Sequence, residues 1–295
     1  MYEKERIRRN EMVNTVYIQK TEDIMQLILE QKFEEKINRN RSYFLYRGLC
    51  RSKFSLETSL HRNCRDLQVS LEPCILRNFT KYAEMLNPDL RTSVWRQMVV
   101  GQHHGLPTRL LDWTYSPLVA LHFATSSFEL AKTDRYDGAV WKIDAREINK
   151  LLPERYYEKL AKNNAWVFSV DMLSDVVKEP AQYDRDMAGH AMALLEPPSI
   201  DQRIINQYSI FSVIPMNMGS IEEFLDKCTK NTVKYVIDKN IKWDVRDFLD
   251  QMNMNERTMM PGLDGLSAWL KRHYFVMQEK AESGAAREEN DNGKK

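Results

Sequence analysis

Between Val99 and Ala124 the sequence reads VVGQHHGLPTRLLDWTYSPLVALHFA, gathering three of the chain's six histidines beside an arginine, an aspartate and a tryptophan. Gly101 and Gly105 bracket Gln102, His103 and His104, and Gly105 with Pro107 marks a loop rather than a helix interior. Arg109 and Asp112 stand at a spacing that lets them pair internally and lock the loop onto the core. Trp113 suits a buried corner provided that its indole N–H finds a partner. If the loop is structural, one of His103 and His104 is a core ring and the other is exposed; in a working site at least one meets a ligand. Adjacent histidines point apart on most backbones and no third ligand has a recognisable spacing, so no metal is expected.

A second stretch, FLYRG at 44–48, reads as the end of a strand. Tyr46 and Arg47 then face opposite sides. With Tyr46 toward the core, Arg47 faces a cleft or solvent, and Gly48 lets something approach the backbone closely. A guanidinium offers a planar pair of donors to a phosphate or carboxylate, although a local Asp or Glu would satisfy it equally. In RIINQYSIF (203–211), Arg203 and Gln207 stand i, i+4 and share a face if the segment is helical. They either clamp a ligand or leave Arg203 to close the helix end. The chain has no G-x-S-x-G elbow, P-loop, G-x-G-x-x-G or H-E-x-x-H signature. The acids of DRYD (134–137) and DRD (184–186) read as solvated loops.

The elements that must position these groups follow from pattern. With 295 residues, 43% hydrophobic and 29% charged, the chain is long enough for a substantial core and ordinary for a soluble globular protein. A net charge of +1 gives no general argument for nucleic acid or an anionic membrane. No 18-residue apolar run exists, and the charged MYEKERIRRN start is not a secretory signal. Four cysteines without a C-x-x-C pair read as free thiols in a reducing cytoplasm. Residues 21–37 read as an amphipathic helix with Thr21 as N-cap, and 41–49 as a strand. Helices are expected over 72–87, 92–101, 151–163, 171–178, 244–252 and 263–275. Another is opened by Ser116 and Pro117 and runs to Ala131. Strands are expected within 137–144, 209–215 and 232–238. The interspersed order predicts an α+β fold: a single mixed domain with a central, largely antiparallel sheet flanked by helices. An extension at 1–20, a domain at 21–278 and a disordered, small-residue-rich tail at 279–295 complete the expected organisation.

FLYRG followed by QHHGLPTRLLDWTYSPLVALHFA resembles the FRG domain family, named for its (F/Y)-R-G motif and carrying a Q-H-x-G-L-P-T-R-L-L-D-W block. LETSLHR (56–62), where Thr58 replaces a family proline, DGAVW (137–141), RIINQYSIF and GLDGLSAWL (262–270) extend the resemblance over roughly 40–275. The segment order is also similar to that of the ADP-ribosyltransferase superfamily, a topology-level likeness. That likeness implies NAD as the nucleotide. Arg47 would grip its diphosphate or ribose, and Thr114 or Ser116 would hold the nicotinamide end. Glu196 or Gln207 would bind the ribose hydroxyl and steady an oxocarbenium-like transition state.

The implied catalytic group is therefore Arg47, His103, Ser116, Gln207 and Glu196. Tyr46, Gly48, Gln102, His104, Thr108, Arg109, Asp112, Trp113, Thr114 and Arg203 form the implied ligand-binding surface. The expected function is a nucleotide-using enzyme, ADP-ribosyltransferase-like or NAD-cleaving, of the kind that serves as a bacterial toxin or antiphage effector. Its target would be a protein, a nucleic acid or free NAD, with no membrane partner. The alternative is a non-catalytic binding or sensor domain for a phosphorylated or nucleic-acid ligand.

Overall fold

The computed structural model describes residues 13–277, so the tail expected at 279–295 lies outside the described residues. Seven strands form one mixed sheet in the order β1-β9-β6-β4-β5-β8-β7. These are β1 (Asn14–Ile18), β4 (Phe44–Leu49), β5 (Leu110–Thr114), β6 (Gly138–Asp144), β7 (Ala193–Leu195), β8 (Ser209–Val213) and β9 (Val233–Ile237). Every neighbouring pair is antiparallel except β1 with β9. Helices cover the sheet, as the α+β expectation required. Strand β1 falls inside the segment 1–20 that was expected to be an extension, so the sheet reaches into it.

The expected helix over 21–37 does not form. Thr21–Ile24 is a 3-10 turn and Met25–Ile28 a single α turn. The chain then enters a two-stranded ribbon of β2 (Lys32–Glu34) and β3 (Arg39–Arg41), turned by Asn38 in the left-handed region. Ile24 and Leu27 find core, whereas Phe33 and Ile37 stay largely exposed; the apolar stripe has nothing to pack against past the first turns.

Helix α1 spans Gln68–Ala83, α2 Val94–His103 and α3 Pro117–Thr125. Ser116 caps α3 by accepting from the Val119 N–H, with Pro117 in the first turn as its fixed φ favours. The helix stops at Thr125 rather than Ala131. There the Thr125 and Ser126 hydroxyls take the Leu121 and Phe123 carbonyls at 2.8 Å, substituting for further backbone donors. Downstream lie α4 (Glu154–Lys162), α5 (Val170–Val176), α6 (Pro180–Met187) and α7 (Gln202–Asn206), then α8 (Lys242–Gln251), α9 (Glu256–Met259) and α10 (Leu263–His273). Helix α6 contains the DRD segment expected to be a solvated loop: Tyr183 is buried, and Asp184 and Asp186 bond inward to Arg109 and Tyr156.

Alternation along β4 divides the packing. Phe44 and Tyr46 join Ala120, Leu121 and Ala124 of α3 with Val245 and Leu249 of α8, while Leu45 joins Leu111, Trp113 and Ile210 on the other face. A third cluster joins Trp95, Met98 and Val99 of α2 to Leu110, Phe211 and Val213. Helix α3 lies close on the sheet because glycines face it. A Cβ on Gly48 would sit 2.0 Å from the Ala120 carbonyl oxygen, and one on Gly138 2.2 Å from that of Ala124. The close approach that Gly48 permits is therefore first that of a helix. No helix among the described residues is long and apolar enough to cross a membrane.

Candidate functional site

Strands β4 and β6 pair through six successive residues, but β4 and β5 meet only where Tyr46 stands opposite Thr114. Beyond that bridge the two central strands part. The Arg47 guanidinium fills the opening, donating from Nη1 to the Asp112 backbone carbonyl at 2.5 Å and reaching its carboxylate at 3.4 Å. A carbonyl that an unbroken ladder would give to a backbone N–H is thus satisfied by a side chain. Arg47 Nε is buried without a partner. Burial lowers the guanidinium's pKa from its ordinary value, with Asp112 opposing the shift.

The loop before β5 orients this pair. Thr108 Oγ1 donates to Gln102 Oε1 at 2.7 Å, which fixes the amide so that its Nε2 donates to both Asp112 carboxylate oxygens, at 3.1 and 3.2 Å. The Thr108 hydroxyl also accepts from the Leu110 N–H, and the Thr108 N–H donates to Ser59 Oγ. A chain of hydrogen bonds therefore runs from Thr108 through Gln102 and Asp112 to Arg47.

Arg47, Asp112, Thr114, Arg203 and Gln207 line one hollow of about 230 Å³ with Phe123 of α3. Arg47 and Gln207, distant in sequence, thus meet. Thr114 ties the two sides together, its hydroxyl donating to the Gln207 carbonyl at 2.7 Å. A wider hollow of about 660 Å³ shares Arg47, Gly48 and Phe123 with the first. Its walls add Phe54, Phe128 and Leu130 with Arg62, His122, Arg246, Glu256 and Lys271. The last turn of α3 and helices α8 to α10 build its far end. There Arg272 is forked onto Asp250 at 2.7 Å and bonds Glu256, while Arg246 pairs with Glu256 and donates to the His122 carbonyl. Burial holds His122 down to about 4, Arg246 reinforcing the shift, so its ring is neutral at pH 7.

Several expected site residues lie elsewhere, and Tyr46, Trp113 and Gln207 line the narrow hollow with polar groups that are already engaged. Arg109 does not pair with Asp112: it is buried against Glu72, its Nε donating at 2.8 Å, and against Asp184 at 2.6 Å. Its contacts with Glu72 and Asp184 raise its pKa despite burial, and Arg109 and Glu72 are both buried while Asp184 is part-buried. Glu196, exposed at the end of the edge strand β7, lines neither hollow. Ser116 is occupied as the α3 cap. Tyr46 is buried with its hydroxyl beside Ser42 and Glu30, its pKa pushed up to about 12 by burial. Trp113 is buried and donates to Ser212 Oγ at 2.9 Å, which satisfies its indole. The Gln207 amide donates to the Met259 carbonyl at 2.9 Å.

His103 flanks the narrow hollow rather than lining it. Its Nε2 lies 3.5 Å from Asp201 beside Arg203, and burial lowers its pKa. His104 is exposed and packs edge-on against His103. Arg203 sits on α7, with Gln207 just past the helix end. Sequence reasoning missed the far wall of the wide hollow, Arg246, Glu256 and Lys271, and gave no role of its own to His122. The one available signal was an imidazole in an otherwise apolar helix.

Residues 42–133 match the model of the FRG domain, and this stretch, from β4 through α3, is an FRG domain. No curated protein and no solved structure matches the chain. The match is shorter than the 40–275 over which resemblance was traced; strand β6 and Gln207 lie beyond it.

Proposed function

We propose that the cleft at Arg47 takes a dinucleotide of the NAD class and that the protein is a nucleotide-using enzyme, ADP-ribosyltransferase-like or NAD-cleaving. Its setting would be the cytoplasm, as a toxin or antiphage effector. The observation carrying this reading is that Arg47 lines two hollows at once, one narrow and polar, the other wide and largely apolar. A dinucleotide has that form: two nucleoside arms joined by a pyrophosphate, whose anionic middle suits a guanidinium with an unpartnered buried Nε. Arg203, itself exposed, adds a second cation to the narrow hollow. In the reaction the ribose C1′–N bond breaks and nicotinamide leaves with the bonding pair. Water or a target nucleophile adds at C1′ and gives up its proton to solvent. Among the described lining residues of the narrow hollow, Asp112 supplies the carboxylate that stabilises developing positive charge.

Incubation with NAD and quantification of released nicotinamide and ADP-ribose, free or on a target, tests this reading. Release that disappears in Arg47→Ala supports it; intact NAD after prolonged incubation at high protein concentration removes it. A second reading, a non-catalytic sensor for a phosphorylated or nucleic-acid ligand, is favoured by one specific observation. Glu196 lies outside both hollows and the Gln207 amide is engaged by Met259, so the third element presents no free acid. Ligand-dependent stabilisation with full recovery of intact ligand would select that reading.

A further inference from the structure

Two buried polar atoms on residues that line the wide hollow have no partner. His122 Nδ1 and Arg246 Nε are both buried and unbonded, on residues that are each 3% exposed and that both line this hollow. The two side chains are neighbours, since Arg246 Nη1 donates to the His122 carbonyl at 3.2 Å. A neutral imidazole carries its proton on one ring nitrogen and a lone pair on the other, so with the proton on Nε2 the unpartnered Nδ1 is an acceptor. Arg246 Nε–H is a donor. These neighbouring side chains therefore offer one acceptor and one donor, neither of them satisfied within the protein.

We propose that the wide hollow seats a flat ring bearing an amide-like edge, an NH₂ group beside an acceptor atom, with His122 Nδ1 receiving the NH₂ hydrogen and Arg246 Nε–H bonding the acceptor. Phe54, Phe123 and Phe128 supply the apolar surface for the ring faces. Glu256 and Asp250 already take the charges of Arg246 and Arg272, and the imidazole is neutral, so His122 and Arg246 offer hydrogen bonds here rather than a free charge. The carboxamide of nicotinamide and the aminopyrimidine edge of adenine share the complementary pattern. The proposal deepens the dinucleotide reading and rests on it for this choice of ligands.

Matched pairs separate the pattern from general stickiness. Nicotinamide against methyl nicotinate, and adenosine against inosine, each replace the NH₂ by an oxygen without adding a charge. Calorimetric titration of the full chain is expected to show one NH₂-bearing member binding at least about tenfold more tightly than its oxygen partner, the worth of one buried hydrogen bond. Which pair discriminates names the nicotinamide or the adenine arm. His122→Phe keeps an aromatic ring and is expected to abolish the discrimination. Phe128→Ala, at a residue 98% exposed, leaves the core alone and is expected to weaken both members of the pair. Should His122→Phe not fold, the ¹⁵N shift of His122 Nδ1 on titration of the wild type reads the same contact. Equal binding within both pairs, no binding to millimolar concentration, or discrimination that survives His122→Phe overturns the proposal. NAD is titrated alongside. Discriminating fragments with no NAD binding overturn the dinucleotide reading and keep the ring site, whereas NAD binding without discrimination does the reverse.

Discussion

The Arg47 guanidinium bonds the Asp112 backbone carbonyl at 2.5 Å across two strands that otherwise meet at a single bridge. A side chain that finishes a ladder at the rim of a cleft can be removed at little cost to the core, because water can take over the carbonyl. Arg47→Ala is therefore expected to lower NAD affinity roughly 10- to 100-fold, the loss of a charged hydrogen bond. Stability should change by no more than about 1 kcal/mol. Arg47→Lys keeps the charge without the planar fork and should fall between. Titration calorimetry paired with thermal melts checks both halves.

Arg109 is predicted to behave oppositely. Its removal leaves the buried Glu72 and the part-buried Asp184 without the cation that they share. Arg109→Leu should cost about 3–5 kcal/mol in urea unfolding, and whatever remains folded should bind ligand normally. A loss of binding in a variant of unchanged stability would instead place Arg109 on the ligand.

Gly48→Ala probes the helix rather than the ligand. The added methyl meets the Ala120 carbonyl oxygen and, at 2.8 Å, the Ala124 nitrogen, both backbone atoms of α3 that cannot rotate away. Overpacking of about 1–3 kcal/mol or more is expected, read as a lowered melting temperature before any ligand is added.

His122 gives the fold an acid-sensitive component. Its folded pKa is depressed from 6.5 to about 4, so across that window the unfolded chain binds a proton that the folded chain refuses. Stability from this group is complete above 6.5, falls as pH drops toward 4, and totals on the order of 3 kcal/mol. Urea unfolding at stepped pH should show a steeper acid limb for the wild type than for His122→Phe; parallel limbs would contradict the assignment.

Much of the frame was legible because its signals are local. The β4 strand, the Ser116–Pro117 start of α3 and the mixed sheet follow from alternation, capping chemistry and element order. The failures share a physical cause. The 21–37 stripe has helical spacing, but Phe33 and Ile37 meet no partner surface, and such a surface is a tertiary fact. Arg109 and Asp112 stand close in sequence, yet each found a partner from a distant segment, Glu72 and Arg47 respectively. Of the anticipated site, Arg47, Asp112, Thr114, Arg203 and Gln207 converge, whereas Glu196 and Ser116 do not. The wall formed by Arg246 and Glu256 depends on how the last helices fold back over α3, which no short motif encodes.

The parallel pairing of β1 with β9 bears on how the protein is made. As the chain leaves the ribosome, β1 emerges first among the sheet strands and β9 last, and β9 docks between β1 and β6. Until Val233–Ile237 is synthesised, two rows of backbone donors and acceptors stay open to any other extended polypeptide nearby. One five-residue strand closes both edges in a single late event, so the hydrogen-bonded ladder of the sheet is complete only once Val233–Ile237 has docked.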